Sequence, residues 1–211
     1  MHKAIAIIQF KVEGQIIHRH PDYMMENRLL LEAIDFEKGT VTIEGKEFPM
    51  LDMQFPTVDP KDPLKLTKEE EELLHTLELS FTHNSLLHKH IKFLYSHGSM
   101  YTCCNSNLLY HGCIPMTEDG QLLTFTLGGK ERKGKEFFDY VDTAARQAYY
   151  LKPGSDERRL GMDLLWFLWA GRNSPIFGRD RMTTFERRLI KDESAWTEPK
   201  NCLLYTSDAA D

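Results

Sequence analysis

Helical and strand-like segments alternate along this chain, and their order restricts it to the mixed classes of fold. Apolar side chains recur at helical spacing in four segments, at residues 2–19, 85–97, 133–151 and 156–169. Short β-branched or apolar runs predict strands at residues 40–48, 99–104, 108–111 and 122–127. Because the two signals are interleaved, we predict an α/β or α+β fold.

The charge and hydropathy of the chain exclude two classes of partner. The formal net charge is −6 over 211 residues, whereas a protein that binds nucleic acid in bulk would show a basic excess. No apolar run approaches the roughly 20 residues of a membrane-spanning helix. We therefore expect neither a nucleic acid nor a membrane as a partner.

The cysteines carry no metal or redox motif. Cys103 and Cys104 are adjacent in a strand-like run, and no pair of cysteines has the C-x-x-C spacing. We interpret these two residues as reduced, buried thiols, which favours a cytoplasmic protein.

Two helix starts show the same local signature. Residues 67–70 and 183–186 each place a threonine three positions before a glutamate, and this spacing is typical of a capping box. Behind the first of them, Leu73, Leu74 and Leu77 are predicted to form the buried stripe of a helix.

His111 is the sharpest candidate for chemistry. It follows a predicted strand and precedes Gly112, so the strand would fix the imidazole while the glycine leaves room for a metal, water or substrate. From spacing alone, a histidine in this position is more often structural. The histidines at 83, 88, 90 and 97 match no ligand spacing and are predicted to be solvated or to cap helices.

Arginines cluster late in the chain, and three of them are candidates for binding phosphate: Arg172, Arg179 and Arg181. The guanidinium fork suits phosphate oxygens, although ordinary surface charge is the alternative for each residue. No nucleophile-elbow serine, phosphate-binding glycine loop or paired acid carboxylates were found. The residues alone therefore support a mixed α/β chain with one candidate metal histidine and no assigned catalytic residue.

Residues 1–201 resemble the class III (Firmicutes-type) fructose-1,6-bisphosphatases. The stretches that carry this resemblance are residues 1–11, 99–101, 107–116, 144–149, 174–178 and 182–187. The family is similar to the calcineurin-like metallophosphoesterases, in which a strand ends in His-Gly, a proline follows, and an Asp-Leu-Leu-Trp stretch comes later. His111-Gly112, Pro115 and residues 163–166 stand in that order here.

The resemblance implies a fold and a domain organisation. We expect an incomplete calcineurin-like metallophosphatase sandwich within residues 1–201. A mostly helical insert with a hairpin would occupy residues 20–97, and the metallophosphatase-like part would occupy residues 98–201. Residues 202–211 are interpreted as a non-native tail.

The resemblance also implies a function. The family hydrolyses fructose 1,6-bisphosphate to fructose 6-phosphate and phosphate, a step of gluconeogenesis, through a water activated by two metal ions, here expected to be Mn²⁺. His111 would bind one metal, and Arg172, Arg179 and Arg181 would contact the sugar bisphosphate. The resemblance leaves the oligomeric state open.

Several motifs of that family are not found in these residues. The Asp-x-His, Gly-Asp-x-x-Asp-Arg-Gly and Gly-Asn-His-Asp patterns, which would supply most metal ligands, do not occur. We therefore expect the dinuclear site only in a full-length protein, with this chain inactive by itself. Two alternatives are a non-catalytic interaction or scaffold fragment and a relative of the serine/threonine protein phosphatases.

Overall fold

Helices and short antiparallel strands build the fold, and this confirms the predicted α+β class. The computed structural model describes residues 2–196 and the backbone of 203–205. The helices are α1 (His2–Arg19), α2 (Lys68–Thr82), α3 (Ser85–His97), α4 (Gly134–Tyr150), α5 (Asp156–Ala170) and α6 (Thr184–Leu189). The strands are β1 (Ile34–Asp35), β2 (Thr40–Ile43), β3 (Lys46–Pro49), β4 (Tyr101–Cys104), β5 (Asn107–Tyr110), β6 (Cys113–Pro115), β7 (Thr124–Leu127), β8 (Lys130–Lys133) and β9 (Leu203–Tyr205).

The strands pair into small separate sheets. The described residues form one sheet in the order β1-β2-β3 and the pairs β4-β5, β6-β9 and β7-β8, all antiparallel. The sandwich of the longer metallophosphatases therefore stays a prediction. The interpretation of residues 202–211 as a non-native tail lies outside the described residues, except for the backbone of β9.

The chain divides into two compact units. Among the described residues, 2–88 and 183–196 form the first unit, whereas 89–182 and β9 form the second. The chain passes from one unit to the other within α3. The predicted division into residues 20–97 and 98–201 stays a prediction.

The core of the first unit joins the two ends of its sequence. Ile7 of α1, Val41 of β2, Phe48 of β3 and Phe185 of α6 are buried in one apolar cluster. The backbone NH of Leu51 donates to the Leu189 carbonyl at 2.8 Å, which fixes α6 beside the sheet. Burying this cluster is the main source of stability for a unit of this size.

The first predicted capping box is confirmed. The Thr67 hydroxyl accepts from the Glu70 NH at 3.3 Å, and the Glu70 carboxylate accepts from the Thr67 NH at 2.9 Å. Glu70 also binds Lys11 of α1 at 2.7 Å, so the cap anchors the first turn of α2 to α1.

The second predicted capping box is wrong. The Glu186 carboxylate is fully buried and accepts two hydrogen bonds from the Arg28 guanidinium, at 2.7 and 3.1 Å. The Thr183 hydroxyl accepts instead from Arg187 Nε at 3.0 Å. A charge-assisted bidentate ion pair is stronger than a helix cap, so Glu186 binds Arg28 instead of the helix terminus. Arg28 lies 158 residues earlier in the chain, and the local pattern therefore gave no sign of it.

Two predictions of burial are also wrong. Leu73 and Leu77 of α2 are 39% and 40% exposed, so the apolar stripe is not covered by the described residues. Cys103 and Cys104 are free thiols on the exposed β4-β5 hairpin. Adjacent residues of a strand face opposite sides, and a two-stranded hairpin covers few of its own side chains.

In the second unit, the β7-β8 hairpin packs on helices α4 and α5, and the β4-β5 hairpin contacts α4. Phe125 of β7 stacks on Phe137 of α4 with 4.1 Å between ring centroids, and it meets Phe167 of α5 edge to face. The Tyr101 hydroxyl of β4 donates to Asp139 of α4 at 2.9 Å. The hairpin that ends at the candidate histidine is therefore attached to α4.

Candidate functional site

His111 stands where the sequence predicts it, directly after strand β5. It is exposed, and it forms with Gly112 the turn between β5 and β6. The strand is paired with β4 through four residue pairs, which fixes the approach of the chain to this turn. The imidazole is therefore presented to solvent from an ordered backbone.

Gly112 allows this turn to pack closely on a second segment. Its φ is +83°, and a Cβ at this position would fall well inside contact distance of the Pro175 carbonyl oxygen and 3.2 Å from Ile176 Cα. The next NH, of Cys113, donates to the same Pro175 carbonyl at 2.8 Å. The histidine turn is thereby fastened to the segment around Pro175.

That segment is the arginine loop, which we define as residues 171–182. It is held together by Ser174, which is fully buried. The Ser174 hydroxyl donates to the Leu168 carbonyl and accepts from the Phe177 NH at 3.0 Å. No structural role of Ser174 was predicted, although a serine beside an asparagine is a signal for such turns.

The three candidate arginines belong to this loop but differ in their surroundings. Arg172 is exposed, and its Nε lies 2.6 Å from Oδ1 of the buried Asp180. Arg179 is also exposed, and its carbonyl accepts from the Asn173 NH at 3.0 Å. Arg181 is only 5% exposed. The structure thus brings the loop of all three arginines against the His111 turn through backbone contacts, and their substrate roles stay predictions.

The buried side chain of Cys113 also contacts the arginine loop. Its Sγ lies 3.5 Å from the Pro175 carbonyl and 3.7 Å from the Ser174 carbonyl. Burial, which disfavours the thiolate, raises the pKa of Cys113 to about 11. The thiol is therefore a packing group that stays protonated at neutral pH.

Alkylation should distinguish this thiol from the two on the hairpin. At pH 8, a shift in pKa from 9.0 to about 11 lowers the thiolate fraction roughly 100-fold. We expect iodoacetamide to modify the exposed Cys103 and Cys104 much faster than Cys113, which is both buried and mostly protonated; the rates are measured by peptide mass spectrometry. Urea should abolish the difference. Equal rates in the folded chain would contradict the described packing.

The described residues do not provide a metal site by themselves. Nowhere within residues 2–196 do three His, Cys, Asp or Glu side chains come together in a way that could hold a metal ion. Ring nitrogens of His83 and His97 lie 2.9 and 3.2 Å from carbonyls of their own helices. His111 is therefore a single candidate ligand, and a dinuclear centre does not fit this ligand set.

An apolar pocket lies beside the hairpin. It has a volume of about 310 Å³ and is lined by Tyr101, Leu108, Ile114 and Phe138. Lys135 is the charged residue of the lining. Hydrogen bonds to Asp139 and Tyr101 raise the pKa of Lys135 above its usual range. A cavity with one cation, already paired, does not suit a doubly phosphorylated sugar.

Comparisons with known proteins point to one family. The model of a family described as Firmicute fructose-1,6-bisphosphatase matches residues 1–211. Over 201 residues, the chain is 50% identical to the fructose-1,6-bisphosphatase class 3 of Clostridium novyi and 51% identical to that of Clostridium tetani. The Listeria innocua protein of the same name is 49% identical over 201 residues.

The coverage of these matches is unequal. They include 95% of this chain but only 30% of the length of the two clostridial proteins and 31% of the Listeria protein. The chain thus spans about a third of the relatives that it matches. No solved structure matched it significantly.

Proposed function

Because the chain belongs to the Firmicute fructose-1,6-bisphosphatase family, we propose that a protein containing it hydrolyses fructose 1,6-bisphosphate to fructose 6-phosphate and phosphate. The observation that supports this proposal is the family match along the whole chain, with about half of all aligned residues identical. Such a reaction serves gluconeogenesis. It makes the longer protein a phosphoric monoester hydrolase.

Within that protein, we propose that His111 is one ligand of a metal centre and that the arginine loop contacts the substrate. The support is local: His111 is exposed on an ordered turn, and Arg172 and Arg179 are exposed on the loop packed against it. Because Arg172 and Arg179 are exposed, phosphate oxygens can reach their guanidinium groups, and Arg172 would exchange its contact with Asp180 for the substrate. The buried Arg181 is better suited to shape the loop. The metal, proposed as Mn²⁺, requires further ligands from outside the described residues.

The chain by itself is expected to release no phosphate from fructose 1,6-bisphosphate with Mn²⁺ present. Electron paramagnetic resonance should detect no tightly bound Mn²⁺, and His111→Ala should leave that signal unchanged, because one imidazole is too weak a site. The Clostridium novyi relative serves as the positive control. Turnover by the isolated chain would contradict the requirement for outside ligands.

A chimera tests His111 directly. In the Clostridium novyi protein, the aligned 201 residues are replaced by those of this chain. The remaining residues of the Clostridium novyi protein supply the length that this chain lacks. His111→Ala in this chimera is expected to lower both Mn²⁺ affinity and kcat about 100-fold or more. The control is His83→Ala, an exposed histidine that contacts its own helix. Release of phosphate from a phosphoserine peptide, and not from the sugar, would favour the protein-phosphatase alternative.

We further propose that the protein acts in the cytoplasm. No helix among the described residues is long and apolar enough to cross a membrane. The exposed Cys103 and Cys104 are free thiols, which is the usual state in a reducing compartment.

A further inference from the structure

Helix α2 presents an apolar face that the described residues leave open. Leu73, Leu74, Leu77 and Phe81 recur at the spacing of one helical stripe, which we call the α2 stripe. Leu77 is 40% exposed and Phe81 is 64% exposed, while Leu74 is half-buried. A helix in a soluble protein normally buries such a stripe against another element.

The N-terminal end of this face is already fixed. Glu70 lies on the same side of α2, is buried, and binds Lys11 at 2.7 Å. The capping box with Thr67 holds the first turn in place. The α2 stripe therefore begins at a rigid anchor, and a partner that binds it would need to order little of the helix.

Acidic side chains border the stripe on both sides. At about 100° per residue, Glu71 and Glu78 lie along one edge and Glu69 along the other. All three are exposed. An occupant with an apolar centre and Lys or Arg at its margins would complement this face.

Two occupants fit an apolar face of this kind: a second copy of the chain or another part of a longer polypeptide. A second copy would bring the same acidic margins and a further net charge of −6 against the first. The relatives, by contrast, have about 70% of their length outside the matched region. A segment of the same chain also binds at an effective concentration near the millimolar range, without the cost of bimolecular association.

We propose that the α2 stripe is an intramolecular docking face for an apolar segment with basic margins. That segment belongs to the part of the family's polypeptide outside the aligned 201 residues. Docking at the α2 stripe does not require the proposed catalytic activity.

Cysteine labelling tests this proposal. Leu77→Cys is introduced into the isolated chain and into the Clostridium novyi chimera. Maleimide modification is followed by peptide mass spectrometry, which distinguishes the peptide that contains residue 77 from the peptides that contain the native cysteines. We expect residue 77 to react at least about tenfold more slowly in the chimera, because docking must open before reagent enters. His75→Cys, on the opposite side of α2, should react equally in both proteins.

The other outcomes overturn the proposal. Equal labelling of residue 77 in the two proteins would show that no outside segment covers the stripe. Slow labelling in the isolated chain, together with a dimer in sedimentation, would assign the face to a second copy. If Leu77→Cys prevents the chimera from folding, Phe81→Cys repeats the comparison one turn later, at a more exposed position.

Discussion

Replacing Lys11 by alanine is expected to lower the free energy of unfolding of the first unit by about 3–5 kcal/mol. Lys11 is 0% exposed, and its Nζ lies 2.7 Å from Glu70 Oε2 and 2.5 Å from the Thr57 carbonyl. Its removal would leave the Glu70 carboxylate buried without a cation. That penalty is larger than the strength of the pair itself, since both charges lose water when they are buried.

A double substitution separates the penalty from the pair. In Lys11→Met with Glu70→Gln, no buried charge is left unpaired, and the glutamine can still accept from the Thr67 NH as a capping-box residue does. Most of the lost stability should therefore return. Urea unfolding can be followed by Trp196, which packs against the core of the first unit, after Trp166 and Trp169 have been replaced by phenylalanine.

Lys3 offers a matched control on the same helix. Its Nζ lies 2.6 Å from Asp52 Oδ2, but both side chains are substantially exposed. Water and salt screen such a pair, so Lys3→Ala should cost far less than Lys11→Ala. Equal losses in the two variants would contradict the burial of the Lys11–Glu70 pair.

The same pair gives a dependence on pH with a defined sign. Burial by itself raises the pKa of Glu70, but hydrogen bonds from Lys11 and the Thr67 backbone outweigh it and hold the pKa below the usual 4.5. A carboxyl with a lowered folded-state pKa contributes stability above 4.5 and loses it as the pH falls through the folded-state value. The difference in the free energy of unfolding between the parent chain and Lys11→Ala should therefore shrink as the pH falls below 4.5.

Local signals predicted the elements that depend only on nearby residues. Helix α1, the β2-β3 hairpin and the Thr67–Glu70 capping box follow from spacing and turn chemistry within a few residues. His111 was correctly placed after a strand for the same reason. The mixed fold class follows from the order of these segments.

The wrong predictions all required knowledge of distant partners. Glu186 matched a capping box, but its partner Arg28 lies 158 residues earlier in the chain. The helical spacing in α2 placed Leu77 on the apolar face of the helix, but spacing does not show whether another element covers that face. The contact of Gly112 with Pro175 was likewise invisible, because no local pattern joins residues so far apart.

Gly112→Ala is expected to lower the free energy of unfolding of the second unit by about 3 kcal/mol. Two effects add. A φ of +83° is unfavourable for alanine by about 1 kcal/mol, and the new Cβ would displace the Pro175 carbonyl, which also accepts the Cys113 NH. The arginine loop would then lose its attachment to the His111 turn.

Gly120→Ala measures the first effect, the backbone conformation, without the second. Gly120 has a similar φ of +78°, but a Cβ there would meet nothing within 4 Å. We expect a loss of only about 1 kcal/mol, which reflects the backbone conformation alone. Urea unfolding of both variants can be followed by Trp166 of α5 after Trp169 and Trp196 have been replaced by phenylalanine. If the two glycines prove equally sensitive, the close approach of Pro175 to the histidine turn is absent, and the proposed pairing of His111 with the arginine loop loses its structural basis.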